Sequence, residues 1–514
     1  MLYNEVMELR PPTPSQESEL PDNFRLLEGE KLICSTYNPP RRSLTKLSSL
    51  REMTRLTNAP TSSTIGDYGP SLASLALESN SPVPAHQELY SVVFGRDSLR
   101  VARDLIEYYP KLAATTIIKL AETQGVSFNA AREEEFGRIA HEIRDPNDPI
   151  AQKISAEDGW DWPYYGSIDA TPEFIRTIAS YCSHHDPQGV LLATQYVDRN
   201  GSSRLIGDAL SNAVDWLKTR IGTSSLGLLE FKSSIPRGLS NQAWKDSWDS
   251  YHHENGELAN HDQAIASVEV QSTTHDALHD AADLYEKFFD KVDEAQNMRA
   301  MAENIKHIVK EKFWTNDKGG YFVLGLDQDN DGNYRQMKIR TSNMGHLLNS
   351  RLLDGNDDET VHMRSALLQQ LRSPELLTVS GIRTLASDEV RFREGAYHNG
   401  SSWIWDTHHI AKGARRHGEE PAFVEFADHL DQKILNAVEI LGSFPEYVRG
   451  GDTVALNTYT VDVIDTLNNN RINRIEQPPQ EVQAWTVAAI LATKHRRGKQ
   501  QNIPHVEPKT SPAL

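Results

Sequence analysis

From about residue 90 to about 495, apolar residues recur at helical spacing; ahead of that stretch they hardly do. Over 97–108, Leu99, Val101, Ala102, Leu105 and Ile106 fall on one face, and over 110–122 Leu112, Ile117, Ile118 and Leu120 do the same. Recurrence at i, i+3 and i+4 marks a helix with one buried face. Similar stripes run over 171–182, 205–220, 260–288, 294–313, 342–353, 360–371, 402–416, 420–441 and 480–494. Strand signals are few. The clearest is Gly320-Tyr-Phe-Val-Leu-Gly-Leu326, followed by a polar turn. About a dozen helices joined by long loops fit a helical solenoid or a closed helical toroid, but no repeat of about 34–45 residues is present. The loops are dense in Trp, Tyr, Asp, Glu, Arg, His and Asn, where solenoid loops are short and bland. Loops of that length usually carry function.

The stripes divide the chain into three parts. Residues 1–85, with a start rich in Pro, Ser and Glu, read as a mobile arm and irregular lead-in. Residues 86–495 form the helical domain. Residues 496–514 read as a disordered tail whose basic beginning suits a helix C-terminus. Lys and Arg number 53 against 72 Asp and Glu, a formal charge of −19, which argues against nucleic acid and anionic membrane surfaces as partners. No apolar run reaches the roughly 18 residues of a membrane span, and the N-terminus lacks the pattern of a secretory signal. A cytoplasmic location is the expectation. Cys34 and Cys182 are too few for a disulfide framework or a four-cysteine zinc site.

Three loops carry candidate chemistry. Gly159–Pro172 holds Trp160, Trp162, Tyr164, Tyr165, Asp161 and Asp169 ahead of a helix start. Aromatic faces beside carboxylates suit a sugar, although an aromatic loop packed on a core has the same composition. Asn241–Tyr251 sets Asp246 and Asp249 among Trp244, Trp248 and Tyr251. A carboxyl group hemmed in by Trp loses solvation and its pKa rises, as a general acid near neutrality requires; the alternative is an exposed amphipathic turn. Ser443–Gly450 places Glu446 on a proline-fixed turn, which alone reads better as a capping or surface residue. With an earlier acid it completes a pair: inverting glycosidases hold two carboxyl groups about 6.5–9.5 Å apart, one acid and one base.

Taken jointly, the segments Phe94–Leu99, His141–Arg144, Tyr164–Pro172, Asn241–Asp249, Glu269–Gln271, Thr341–Leu348, Gly381–Leu385, Tyr397–Ser401 and Phe444–Glu446 resemble the amylo-α-1,6-glucosidase and glycogen-debranching group of six-hairpin glycosidases. That group is related to glucoamylase, processing α-glucosidase and mannosylglycerate hydrolase. The resemblance implies an all-α (α/α)6 toroid with functional loops at one end. It implies an inverting hydrolase that removes a terminal α-linked sugar, most simply glucose. It puts the general acid at Asp246, with Asp249 as second candidate, and the base at Glu446. Arg96, Asp97, Tyr165 and Asp169 would line the sugar subsite, with Trp162, Trp244, His398 and Trp403 as walls and Glu269 and Gln271 buttressing Asp246. No metal or organic cofactor is implied. Two departures stand out. The residues ahead of Phe94 do not read as the β-sandwich many relatives carry, which favours a small α-glycoside or oligosaccharide over a polymer. Met344 stands where a proline is expected, and Ile404 lies between Trp403 and Trp405 where relatives often have Trp-Pro.

Other features are set aside. Asp327–Asn333 begins like a calcium loop, but Lys338 occupies the position that needs a glutamate. His275 and His279 share one helix face at a zinc-binding spacing, but the sequence offers no third ligand. Three rival functions remain: a phosphorylase on the same barrel, a hydrolase of glucosylglycerate or mannosylglycerate, and a non-catalytic sugar-binding barrel. For the second, Arg383, Arg393 and Arg449 are available to grip a carboxylate.

Overall fold

A computed structural model describes residues 92–456, 459–465, 471–477, 479–480 and 482–501, with 459–465, 471–477 and 499–501 described by backbone alone. Among them are twelve α-helices: α1 Gly95–Asp104, α2 Pro110–Glu122, α3 Pro149–Asp158, α4 Ala170–His184, α5 Ile206–Thr223, α6 Val268–Phe289, α7 Val292–Ile308, α8 Asn343–His346, α9 Asp358–Arg372, α10 Ile404–Arg416, α11 Pro421–Leu441 and α12 Ala484–Gln501. Helix α1 packs on α4, α4 on α6, α6 on α8, α8 on α10, α10 on α12, and α12 returns to α1. These six close a ring. Around it, α2 packs on α1 and α4, α5 on α4, α7 on α6, α9 on α8, and α11 on α10 and α12. Apart from α3, inner and outer helices alternate along the chain, six inner and five outer among the described residues, and the fold is an all-α toroid of the expected (α/α)6 kind.

The local sequence explains where helices begin and end. Asp148 accepts from the amides of Ile150 and Ala151 at the start of α3, Pro149 occupies its first turn, and Gly159 closes it with φ +74°. Such a cap contributes about 1 kcal/mol. An inner helix is buried on nearly all sides, and α6 shows the consequence. From Val268 to Leu278 every residue is buried, the polar Glu269, Gln271, Thr274, His275 and Asp276 included. In so dry a place polar groups persist only by finding partners. Helix α8 is a four-residue turn continued by 3₁₀ turns at Leu347–Asn349 and Arg351–Leu353. It lies so close to α10 that a Cβ on Gly345 would meet Ile410 Cγ1 at 2.8 Å, and one on Gly413 would meet the Asn349 amide nitrogen at 2.6 Å.

The apolar stripes overreach in places. The stretch 260–267 is loop and a short strand, Ala266–Ser267, pairing with Gly325–Leu326, so α6 starts only at Val268. The stripe over 342–353 is the broken α8 region. The single strand expected at 320–326 is two, Tyr321–Phe322 and Gly325–Gln328, because they pair with different partners. Unforeseen are α3 and an antiparallel hairpin of Tyr459–Asp465 with Arg471–Gln477. Helix α12 continues to Gln501, past the boundary drawn at 495. The lead-in 1–85, Cys34 and residues 502–514 lie outside the described residues. Among the described residues no helix is long and apolar enough to cross a membrane.

Because the obstacle at Gly413 is backbone rather than a flexible side chain, Gly413→Ala is expected to destabilise the barrel by about 1–3 kcal/mol. Urea unfolding should show a lower midpoint with an unchanged slope.

Candidate active site

The loops and first turns at the N-terminal ends of the inner helices converge on one cavity of about 750 Å³, its open mouth included. Arg96, Asp97 and Ser98 from the start of α1 line it, as do Trp244 and Asp246 ahead of α6 and Tyr397, His398 and Trp403 ahead of α10. Glu446, Gln480, Gln483 and Trp485 ahead of and at the start of α12 add to it, and Phe94 and His141 complete this polar and aromatic lining.

Asp246 is held from two sides. Its neighbour Lys245 is fully buried and donates Nζ to the Thr384 carbonyl at 3.0 Å. The loop is tightened by Asn241 Nδ2 donating to the Ser247 carbonyl at 2.7 Å. Facing it, Arg96 Nη1 lies 3.3 Å from Asp246 Oδ2, while its Nε donates to both oxygens of Asp169 at 2.8 and 2.9 Å. Arg96 also reaches the Gln242 carbonyl at 3.4 Å, just upstream of Asp246. Burial works against the Arg96 charge, but Asp169, Asp246 and Asp97 outweigh it and hold the guanidinium more firmly protonated.

Glu446 sits between two loops. Its amide donates to the Gln480 carbonyl at 2.9 Å, Gln483 N donates to the Phe444 carbonyl at 2.9 Å, and Val448 exchanges a pair of hydrogen bonds with Ser402. The turn is thus stitched to the segment before α12 and to the loop before α10. Its carboxylate accepts from the Tyr397 hydroxyl at 2.5 Å and from the Gln480 amide at 3.2 Å.

Burial raises Asp246 to about 7, against the pull of Arg96 and with the help of Asp97. Burial likewise raises Glu446 to about 7, opposed by the Tyr397 and Gln480 donors and reinforced by Asp97 and Asp246. Asp97 itself is pushed by burial to about 6, against Arg96. The three carboxyl groups oppose one another's ionisation: Asp97 raises Asp246, and both raise Glu446. The hydrogen bonds differ in kind. Glu446 has two short-range donors that favour its anion, whereas the guanidinium near Asp246 is already committed to Asp169.

The apolar side is built on Trp244, whose ring meets Trp403, Trp405 and His398 edge-on at 5.9, 4.9 and 5.4 Å. His398 stacks on Trp403 at 5.3 Å. Burial, with Lys245 and Arg96 nearby, keeps His398 neutral. Its Nδ1 accepts from the Ser247 amide at 3.3 Å, which leaves the ring hydrogen on Nε2.

The remaining candidates lie elsewhere. Asp169 does not line the cavity; it accepts from Arg96 and from Ser167 Oγ at 2.7 Å. Asp249 does not line the cavity; its backbone carbonyl accepts from Asn399. Trp162 belongs to a separate small core with Ile154, Trp160 and Tyr164, its Nε1 bonded to Ala151 O and Ser155 Oγ. Tyr165 is spent on the Thr123 carbonyl and Arg199. Glu269 and Gln271 do not buttress Asp246: the first turn of α6 directs Glu269 to Ser267 and Tyr251, and Gln271 to both backbone groups of Leu229. Arg383 is tied to the carbonyls of Gly450, Pro374 and Glu375, Arg449 pairs with Glu394, and neither these nor Arg393 line the cavity. Asp327 anchors a β-hairpin through His253 and Arg335, and Asp329 closes its turn. Residues not singled out beforehand are Ser98, His141, Tyr397, Gln480, Gln483 and Trp485. Tyr397 and His141 stand in segments already notable for their residue types. The Gln480–Trp485 stretch reads along the sequence merely as the start of a helix.

A closed (α/α)6 ring with a carboxylate-lined, aromatic-walled cavity at the N-terminal ends of its inner helices defines a six-hairpin glycosidase. Residues 180–450, more than half of the chain, match the model of the mannosylglycerate hydrolase MGH1-like glycoside hydrolase domain, and the protein belongs to that family. The matched span includes both Asp246 and Glu446. No curated protein matches the chain.

Arg96→Met removes the one counter-charge shared by two buried carboxylates, an expected loss of about 3–5 kcal/mol. Denaturation at neutral and at acid pH checks it. The deficit should shrink as the pH falls below about 7, where Asp246 takes up a proton and one unpaired buried charge disappears.

Proposed function

We propose that the protein hydrolyses a terminal α-linked sugar from a small glycoside or oligosaccharide, with inversion at the anomeric carbon. The observation that carries this reading is that Asp246 and Glu446 line one small cavity, each raised by burial to about 7. Asp246, protonated, gives its proton to the glycosidic oxygen. Glu446, ionised and oriented by Tyr397 and the Gln480 amide, takes a proton from a water that attacks from the opposite face. Arg96 holds the acid in place. Trp244, Trp403 and His398 offer aromatic edges and an N–H donor to the sugar. Asp246 is preferred to Asp249 as acid because it alone of the two lines the cavity.

Hydrolysis is preferred to phosphorolysis on electrostatic grounds. Among the described lining residues Arg96 is the one arginine or lysine, and it is already engaged by Asp169 and Asp246. The family description favours a second, narrower reading, in which the aglycone is glycerate. Its carboxylate would have to meet cations beyond the described lining.

Anomeric proton NMR with α-glucosides, α-mannosides, glucosylglycerate and mannosylglycerate tests the proposal. A β-sugar released without phosphate is expected; an α-sugar, or strict dependence on phosphate, would overturn it. Asp246→Asn and Glu446→Gln should each lower kcat by at least about 100-fold.

The pH profile follows from the same pair. Activity needs Glu446 ionised and Asp246 protonated, so kcat/KM should form a narrow bell centred near neutrality. It falls in acid as Glu446 gains a proton and in base as Asp246 loses one. Tyr397→Phe removes a donor that lowers the Glu446 pKa, so the acid limb should move to higher pH while the basic limb stays.

A further inference from the structure

On the far flank of α6, His275 and His279 stand one turn apart, and Glu303 reaches them from α7, the antiparallel outer partner. One ligating atom from each of the three residues falls within 4.8 Å of the others. His279 Nε2 lies 3.7 Å from Glu303 Oε1, and the two imidazoles meet edge to face at 4.7 Å. The third group absent from the sequence reading is therefore supplied across the helix hairpin. None of the three lines the sugar cavity.

His275 is the informative residue. It is 1 % exposed, and its Nε2 has no hydrogen-bond partner. Its Nδ1 lies 3.0 Å from Asp276 Oδ1, so the carboxylate takes the Nδ1 hydrogen and leaves a lone pair on Nε2. Asp276 is itself held by Arg176, by Ser350 Oγ and by the Arg351 amide at 2.8–3.0 Å. A carboxylate that fixes the tautomer of a histidine while the opposite nitrogen stays free is the support that metal-bound histidines receive. A buried nitrogen lone pair without a partner is otherwise costly.

We propose that His275, His279 and Glu303 form a zinc site that staples α6 to α7. Two imidazole nitrogens and one carboxylate oxygen suit a borderline divalent ion such as Zn²⁺. Water completes the fourth position from the solvent side, where the Glu303 side chain is 59 % exposed. The ion satisfies the His275 nitrogen and ties the outer helix to the ring. It takes no part in hydrolysis.

The test uses the full chain, stripped with a chelator and titrated with ZnCl₂ by calorimetry, with Co²⁺ absorption as a second readout. One equivalent should bind, the Co²⁺ spectrum should be that of a four-coordinate site, and thermal unfolding should shift upward. His279→Gln and Glu303→Gln, both on the accessible rim, should keep the fold by circular dichroism and weaken zinc binding about tenfold or more. Failure of the wild type to bind one equivalent at micromolar zinc would overturn the proposal. So would variants that bind as wild type does, since the ion would then sit elsewhere.

Discussion

One guanidinium ties the active end of the barrel together. Arg96 leaves the first turn of α1, grips Asp169 at the start of α4, and touches both the carbonyl of Gln242 and the carboxyl of Asp246. Three chain segments far apart in sequence thus meet on a single buried charge. Buried ion pairs add little net stability over well-packed apolar groups, but removing one partner is severe, so their value lies in fixing geometry. Here the geometry fixed is that of the Asp246 carboxyl. Because Asp169 takes most of the Arg96 charge, Asp246 is positioned by the guanidinium without being forced into its ionised form.

The ring supplies what Arg96 cannot. The starts of α1 and α12 and the loops ahead of α6 and α10 open on one cavity, and helix N-termini, with their unpaired amides and dipoles, favour negative charge. Asp97, Asp246 and Glu446 gather there, and burial beside Trp244, Trp403 and Trp485 raises the pKa of each. Aromatic packing and electrostatics act on the same atoms. Burial raises the pKa values, while a few donors, Tyr397 and the Gln480 amide above all, pull Glu446 back toward its anion.

The same economy of buried polar groups governs the flank. Helix α6 carries Asp276 through the dry interior only because Arg176, Ser350 and the Arg351 amide satisfy it. Residues that read as substrate contacts turn out to be spent in this way: Tyr165 on Thr123 and Arg199, Gln271 on Leu229, Trp162 in a side core. Chemically rich loops hold both cavity-lining and structural polar residues, and composition does not separate them, since a buried loop needs internal partners as much as a site needs ligands.

The sequence by itself determined the class of fold and put Asp246 and Glu446 forward as candidates. Helical periodicity is a local property, enforced by which face each helix must bury, and the residue types of the Trp244–Asp246 and Phe444–Glu446 segments are local too. It also overran in local terms, extending α6 back through 260–267 and smoothing over the broken α8, because apolar spacing does not register a strand pairing or a helix stopped by a close neighbour. Only the tertiary structure decided that Asp246 rather than Asp249 lines the cavity, that Tyr397 and Gln480 hold Glu446, and that Glu303 joins His275 and His279. Each of those depends on side chains brought together by ring closure, and no spacing along the chain encodes a distance across the ring.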